Sequence, residues 1–106
     1  MSADAWVVVA NVDDVPEGEA RRVEIGGRGI ALYNVAGEVF ATDDTCTHMR
    51  ARLSDGYLEG HVIECPLHFG RFDVRTGAPL SAPCTVAVRP HQVLVEAGTI
   101  KVRLAH

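Results

Sequence analysis

One stretch of the chain, residues 46–70, decides the prediction of its fold and chemistry, and it reads CTHMRARLSDGYLEGHVIECPLHFG. The stretch begins and ends with a short motif in which a cysteine precedes a histidine: Cys46 with His48, and Cys65 with His68. Thiolate sulfur and imidazole nitrogen are both good ligands for zinc and for iron. Two such pairs can reach one small object only if the backbone turns tightly around it. The stretch therefore predicts a metal centre built from two loops.

Two kinds of metal centre are compatible with two cysteines and two histidines. A dinuclear iron–sulfur cluster can take two thiolates on one iron and two imidazoles on the other. A tetrahedral zinc ion accepts the same four donors, but zinc sites usually leave roughly two to four residues between neighbouring ligands. The single residue between Cys46 and His48 fits zinc poorly. From the residues alone, a zinc-stabilised β domain acting as a binding module stays open as an alternative.

The rest of the chain predicts an all-β fold. Short runs rich in β-branched residues alternate with turn residues, and no segment has the sustained 3.6-residue period of a helix. The predicted strands are residues 6–9, 21–25, 29–34, 38–41, 71–74, 86–89, 92–96 and 99–104. Tight hairpin turns are predicted at Gly26-Gly27 and Ala97-Gly98. Residues 43–83 have shorter strands and longer loops, which is typical of a functional region.

Composition limits the classes of function. A chain of 106 residues is the size of one domain, and its net charge of −4 argues against a nucleic-acid partner. No apolar run is long enough to span a membrane, and residues 1–4 lack the features of a signal peptide. Three cysteines are an odd number, which argues against a secreted disulfide framework. We therefore expect a cytoplasmic protein.

The two motifs resemble the signature of the Rieske family of [2Fe–2S] proteins, including the sixteen residues between His48 and Cys65. The segments 39–45, 53–60 and 65–77 are similar to the ferredoxins of bacterial aromatic-ring-hydroxylating dioxygenase systems. This resemblance implies that Cys46 and Cys65 ligate one iron of a single [2Fe–2S] cluster and that His48 and His68 ligate the other.

The resemblance also implies an architecture and a function. The expected fold is a Rieske-type antiparallel β-sandwich, with a cluster-binding subdomain of residues 43–82 inserted into a basal domain of residues 1–42 and 83–106. The expected function is one-electron transfer from an NAD(P)H-dependent, flavin-containing ferredoxin reductase to a terminal Rieske non-haem iron oxygenase that hydroxylates aromatic rings. Such a carrier is a monomer and is not itself an enzyme. A small Rieske subunit of another redox enzyme, such as a nitrite reductase, is the alternative.

Four positions imply a low reduction potential. High-potential relatives have a disulfide between the positions of Ala51 and Leu67, and hydroxyl groups at the positions of Gly70 and Phe72 that donate hydrogen bonds to sulfur. None of these groups is present here. We therefore expect a potential near the lower end of the Rieske range, about −150 mV.

Several other residues have simpler expected roles. Met49 is predicted to cap the cluster or to contact a partner, and Cys84 to pack as a small thiol. The remaining histidines are predicted to be solvated surface residues (His61, His91 and His106), and the adjacent acids Asp43 and Asp44 to be surface or turn residues.

Overall fold

The computed structural model describes residues 5–47, 50–67, 69–82 and 85–105. Within these ranges the chain forms nine strands and two short 3₁₀ turns, Val12–Asp14 and Leu53–Asp55. The strands are β1 (Val7–Asn11), β2 (Ala20–Ile25), β3 (Arg28–Val35), β4 (Glu38–Asp43), β5 (Tyr57–Glu59), β6 (Val62–Glu64), β7 (Arg71–Asp73), β8 (Pro90–Glu96) and β9 (Thr99–Arg103). The all-β class predicted from the sequence is confirmed. Neither 3₁₀ turn, nor any other described segment, forms a helix of the length and apolar character needed to cross a membrane.

The strands form two antiparallel sheets. The larger has six strands in the order β1-β9-β8-β4-β3-β2, and the smaller has three in the order β5-β6-β7. Three two-residue turns connect neighbouring strands of the larger sheet, and both residues of each turn have positive φ. These turns are Gly26-Gly27, Ala36-Gly37 and Ala97-Gly98. A pair of positive φ angles matches the right-handed twist of the flanking strands, so the predicted hairpins are confirmed.

Strand β3 is buried on both of its faces, because successive side chains point to opposite sides of a strand. Ile30 and Leu32 belong to an apolar cluster within the larger sheet, here called the basal core. Ala31 and Tyr33 belong to a second cluster, here called the site core, which includes Cys46 and Cys65. The basal core consists of Val15, Ile30, Leu32, Val39, Ala41, Ile100 and Val102. The site core consists of Ala31, Tyr33, Cys46, Ala51, Leu53, Ile63, Cys65, Phe72, Val74 and Val88.

The predicted strand at residues 86–89 is wrong. This segment has no strand ladder; instead, the N–H of Val88 donates to the carbonyl of Gly77 at 2.9 Å. The apolar alternation that suggests a strand serves here to place Val88 in the site core. Conversely, the hairpin formed by β5 and β6, whose strands have three residues each, was not among the predicted strands.

The predicted exposure of two histidines is corrected by the structure. The side chain of His91 is fully buried. Residue 91 lies one position before the predicted strand and pairs with the buried Ala41 of β4. His61 is half-buried with its ring edge against Phe40, the ring centroids being 5.6 Å apart. His106 lies outside the described residues.

Candidate metal centre

The first Cys/His motif lies in a loop of six residues, 46–51, which follows strand β4. Thr45 and Arg52 form an antiparallel bridge just outside this loop. Inside the bridge, the N–H of Cys46 donates to the carbonyl of Ala51 at 2.9 Å. The loop is therefore closed like the end of a hairpin, with Cys46 at its base.

The second motif lies in a loop of the same length, 65–70, between strands β6 and β7. Glu64 and Arg71 form the last pair of the ladder before this loop. The N–H of Cys65 then donates to the carbonyl of Gly70 at 2.8 Å. Each cysteine thus bonds the carbonyl five residues further along, so the two loops have matching closures.

The backbone of the second loop is strained at Phe69. Its φ is +58°, a left-handed conformation that costs a residue with a Cβ atom roughly 1–2 kcal/mol. The Phe69 ring is 62% exposed, so packing of the ring does not provide this energy. Phe69 lies within the loop that the hydrogen bond between Cys65 and Gly70 closes. Strain of this kind is found preferentially at functional sites.

The two loops bring the cysteine thiols together. Cys46 and Cys65 are both buried, neither is in a disulfide, and both pack in the site core. Burial raises the pKa of Cys65, the N–H of Leu67 opposes this by donating to its sulfur, and the Cys46 thiol raises the pKa further. Buried thiols become thiolates readily only when a cation offsets their charge. Two adjacent buried thiols from separate loops therefore suit a metal centre.

The two predicted histidine ligands, His48 and His68, lie outside the described residues, as do Met49 and Cys84. Each histidine follows its cysteine by two or three positions, which the chain can span over at most about 7–11 Å. Among the residues that the structure describes, no group of three or more histidine, cysteine or acidic side chains could hold a metal ion. The two thiols are the part of the predicted ligand set that the structure brings together.

The base of the first loop contains a buried acid, whereas the sequence predicts a surface or turn residue at this position. Asp44 is fully buried. Its carboxylate accepts hydrogen bonds from the N–H of Ser54 at 2.7 Å, from the Ser54 hydroxyl at 3.0 Å and from Arg22 at 2.7 Å. A lone Asp two positions before a cysteine carries no sequence signal for burial, because its partners are 10 and 22 residues away.

A third segment runs beside the first loop. The hydroxyl of Thr47, the residue after Cys46, donates to the carbonyl of Val86 at 2.6 Å. Two residues further on, Val88 lies directly against Gly77, whose missing side chain leaves room for the Val88 carbonyl. The segment that the sequence predicted as a strand therefore supports the loop of Cys46.

Exposed apolar side chains lie on and beside the two loops. Leu67 and Phe69 of the second loop are 49% and 62% exposed, and Val86 beside the first loop is 61% exposed. Leu80 is 50% exposed and lies next to the second loop, since its N–H donates to the carbonyl of Arg71. Grouped exposed apolar residues commonly mark interaction surfaces.

Comparison with known proteins gives consistent matches. A sequence model described as the Rieske [2Fe–2S] domain matches residues 5–94. A Ralstonia protein named as the ferredoxin component of naphthalene 1,2-dioxygenase/salicylate 5-hydroxylase systems is 53% identical over 91 residues, covering 86% of this chain and 88% of the relative.

Two solved structures are also similar. One is the ferredoxin of carbazole 1,9a-dioxygenase from Nocardioides aromaticivorans, with a TM-score of 0.89, 37% identity, and coverage of 92% of this chain and 96% of that one. The other is described as a complex of reduced oxygenase and oxidized ferredoxin in carbazole 1,9a-dioxygenase, and its matching chain has a TM-score of 0.88, 44% identity and 94% coverage of both chains.

Proposed function

This chain belongs to the Rieske [2Fe–2S] domain family, and from that membership we propose that it is the ferredoxin component of an aromatic-ring dioxygenase system. It carries one Rieske-type [2Fe–2S] cluster and transfers electrons to a Rieske oxygenase, without catalysing the oxygenation itself. The observation that carries the proposal is the convergence of two buried thiols from two loops with matching closures. The names of the relatives favour this function over a nitrite reductase subunit, and the family favours iron–sulfur over zinc.

We propose that Cys46 and Cys65 ligate one iron of the cluster and that His48 and His68 ligate the other. The cysteines suit one iron because both are buried in the site core at the bases of the two loops, and each histidine lies on the same short loop as one of them. We take residues 43–82 as the cluster-binding subdomain, since both loops and the smaller sheet fall inside it.

When bound, the cluster supplies a centre that accepts and releases one electron. The chain's own residues control the surroundings of that centre. The site core excludes water from both thiols, and the N–H of Leu67 stabilises negative charge on the Cys65 sulfur.

The exposed apolar residues on and beside the two loops suit brief contacts with redox partners. We propose that one partner is a flavin-containing ferredoxin reductase that oxidises NAD(P)H, and that the other is a terminal oxygenase. A carrier that serves two partners in turn has to dissociate from each, and we propose that it does so as a monomer. We also propose that it acts in the cytoplasm.

The first experiment tests the cluster and its ligands. Protein purified without oxygen should contain about two irons and two sulfides per chain and give the reduced-state EPR signal of a histidine-ligated cluster. The variants Cys46→Ser and Cys65→Ser should lose the cluster, whereas Cys84→Ser should keep it and serve as the control. A colourless protein that holds one zinc ion would refute the proposal.

The second experiment tests the function. The loaded chain should support aromatic hydroxylation only when a compatible reductase and oxygenase are both present, and it should turn over no aromatic substrate alone. Electron delivery to a nitrite reductase, but to no ring-hydroxylating oxygenase, would exclude the proposed role.

A further inference from the structure

We propose that the ion pair between Arg22 and Asp44 positions the first loop and sets the reduction potential of the cluster by balancing charge beside it. This inference rests on the proposed function, because it requires a cluster held by Cys46. It concerns residues outside the proposed ligand set.

Asp44 connects the two ends of the first loop through its backbone and its carboxylate. Its backbone N–H donates to the carbonyl of Gly29 in β3 at 3.0 Å, and its carbonyl accepts the N–H of Leu53 at 2.7 Å. Its carboxylate also accepts two hydrogen bonds from Ser54. Asp44, which precedes the loop, is therefore hydrogen-bonded to Leu53 and Ser54, which follow it, and to Gly29 of the neighbouring strand. Both ends of the Cys46 loop are thus fixed together.

The buried Asp44 carboxylate is paired with a positive charge. An ionised carboxylate with no exposed surface is costly unless it is paired and hydrogen-bonded. Arg22 of β2 supplies the pairing at 2.7 Å, and its side chain is 25% exposed. Arg22 also contacts the exposed Glu24 at 3.2 Å. The positive charge that pairs with Asp44 thus comes from β2, and Arg22 is held between the carboxylates of Asp44 and Glu24.

The Arg22 side chain lies against Gly29 where it reaches Asp44. Its guanidinium lies directly over Gly29, where a side chain would collide with it. The backbone of Gly29 does not have a positive φ, so conformational freedom does not explain a glycine at this position. A side chain at position 29 would instead displace the Arg22 guanidinium from its place beside Asp44.

The ion pair between Arg22 and Asp44 lies close in the chain to a proposed cluster ligand, Cys46. Asp44 is two residues from Cys46, so their Cα atoms are at most about 7 Å apart. Because Asp44 is fully buried, its charge is only weakly screened. Reduction adds one negative charge to the cluster, so loss of the Arg22 charge should disfavour reduction, and loss of the Asp44 charge should favour it.

Other charges near the first loop are the same in every variant compared below. Arg50 and Arg52 line the same surface hollow as Arg22, together with Thr45. Both arginines are exposed to solvent, where salt screens their effect. They shift the baseline of the potential but not the differences between variants.

The test is the midpoint potential of the loaded protein, measured by spectroelectrochemical titration at constant pH. Arg22→Gln should lower the potential and Asp44→Asn should raise it, whereas Arg22→Lys, which keeps the charge, should shift it by less than half as much as Arg22→Gln. Lys101→Gln removes the same charge from an ion pair with Glu96 at the β8–β9 hairpin. This control should also shift the potential by less than half as much.

A second readout separates the positioning role from the charge. Ser54→Ala removes one hydrogen bond to Asp44 and leaves both charges in place. It should leave the potential unchanged and increase the rate at which iron is lost to a chelator by several fold.

The inference is overturned if Arg22→Gln and Asp44→Asn shift the potential in the same direction or not at all. It is also overturned if Lys101→Gln matches Arg22→Gln, or if Ser54→Ala loses iron at the wild-type rate. If Asp44→Asn assembles no cluster, the comparison of Arg22→Gln with Lys101→Gln decides the matter. The iron and sulfide content of the wild-type protein tests the proposed function separately.

Discussion

The buried imidazole of His91 joins the C-terminal end of the chain to Asp43, the last residue of strand β4. Its Nε2 lies 2.8 Å from the Asp43 carboxylate, and its Nδ1 accepts the N–H of Ala105 at 3.0 Å. Because Nδ1 is an acceptor, the proton of the neutral ring is on Nε2 and is donated to Asp43. A second proton on Nδ1 would face the Ala105 N–H and break that contact.

This arrangement predicts a pH dependence of stability. Burial lowers the pKa of His91 below its usual value of about 6.5, and the Asp43 carboxylate only partly opposes this, with Arg28 and Arg89 adding to the lowering. The unfolded chain therefore binds a proton more readily than the folded one. The His91 contribution is complete above about pH 6.5 and is lost as the pH falls through the lower, folded-state pKa.

Thermal unfolding at several pH values between about 5 and 8 measures this effect. The melting temperature of the wild type should fall more steeply toward acid than that of His91→Gln, which retains a polar side chain but does not titrate. His61→Gln is the control, because His61 is only half-buried. Equal acid slopes for wild type and His91→Gln would show that another group is responsible.

Gly77 should tolerate no side chain, whereas Gly98 should tolerate one at modest cost. The two have nearly the same φ, +79° and +78°, but a Cβ atom at Gly77 would collide with the Val88 carbonyl, and one at Gly98 would meet nothing within 4 Å. Gly98→Ala should therefore cost about 1–2 kcal/mol from backbone strain alone. Gly77→Ala should cost clearly more, because the 85–89 segment has to move.

Denaturant unfolding of the two alanine variants, compared with the wild type, gives both costs. Gly77→Ala should also speed the loss of iron, since the displaced segment accepts a hydrogen bond from Thr47 beside Cys46. Similar destabilisation in the two variants would mean that the close contact with Val88 is not significant.

The reduction potential should lie near the lower end of the Rieske range, about −150 mV. Gly70 and Phe72 carry no hydroxyl that could donate to a cluster sulfur, and both are buried beside the second loop. The double variant Gly70→Ser/Phe72→Tyr should raise the potential, because hydrogen bonds to sulfur stabilise the reduced cluster. Protein-film voltammetry measures both values, and a wild-type potential above about 0 mV would contradict the argument.

Two isoleucines of equal burial should have different effects on the cluster. Ile63 is in the site core and Ile100 in the basal core, and both are fully buried. Replacement of either by alanine should cost about 2–5 kcal/mol of stability. Only Ile63→Ala should accelerate iron loss under native conditions, because only Ile63 packs in the site core, which contains the two cysteines. Equal rates of iron loss in the two variants would contradict this difference.

Local signals in the sequence were sufficient for the fold class and the tight turns. The pairs Gly26-Gly27 and Ala97-Gly98 turn where predicted because their backbone geometry is encoded by two adjacent residues. Non-local contacts were not predictable in this way. Residues 86–89 have the composition of a strand, but the partner of Val88 is the turn at Gly77, which no local pattern reveals.

The same distinction applies to the candidate site. The spacing of Cys46 and Cys65 from their histidines predicted two loops, and the structure brings both thiols together. The assignment of His48 and His68 as ligands stays a prediction, as do the subdomain boundaries at residues 43 and 82. The burial of Asp44 and His91 was missed, because each is explained by partners that are distant in the sequence.

The double burial of strand β3 has a consequence for how such carriers can diverge or be redesigned. Ile30 and Leu32 face one core while Ala31 and Tyr33 face the other, so alternate positions of one strand experience separate selective pressures. Substitutions at even-numbered positions can adjust the thermal tolerance of the scaffold with little effect on the metal. Substitutions at odd-numbered positions can change the surroundings of the metal while the scaffold persists. One host scaffold could therefore accept different loop pairs, provided that the odd-numbered face of β3 is exchanged with them.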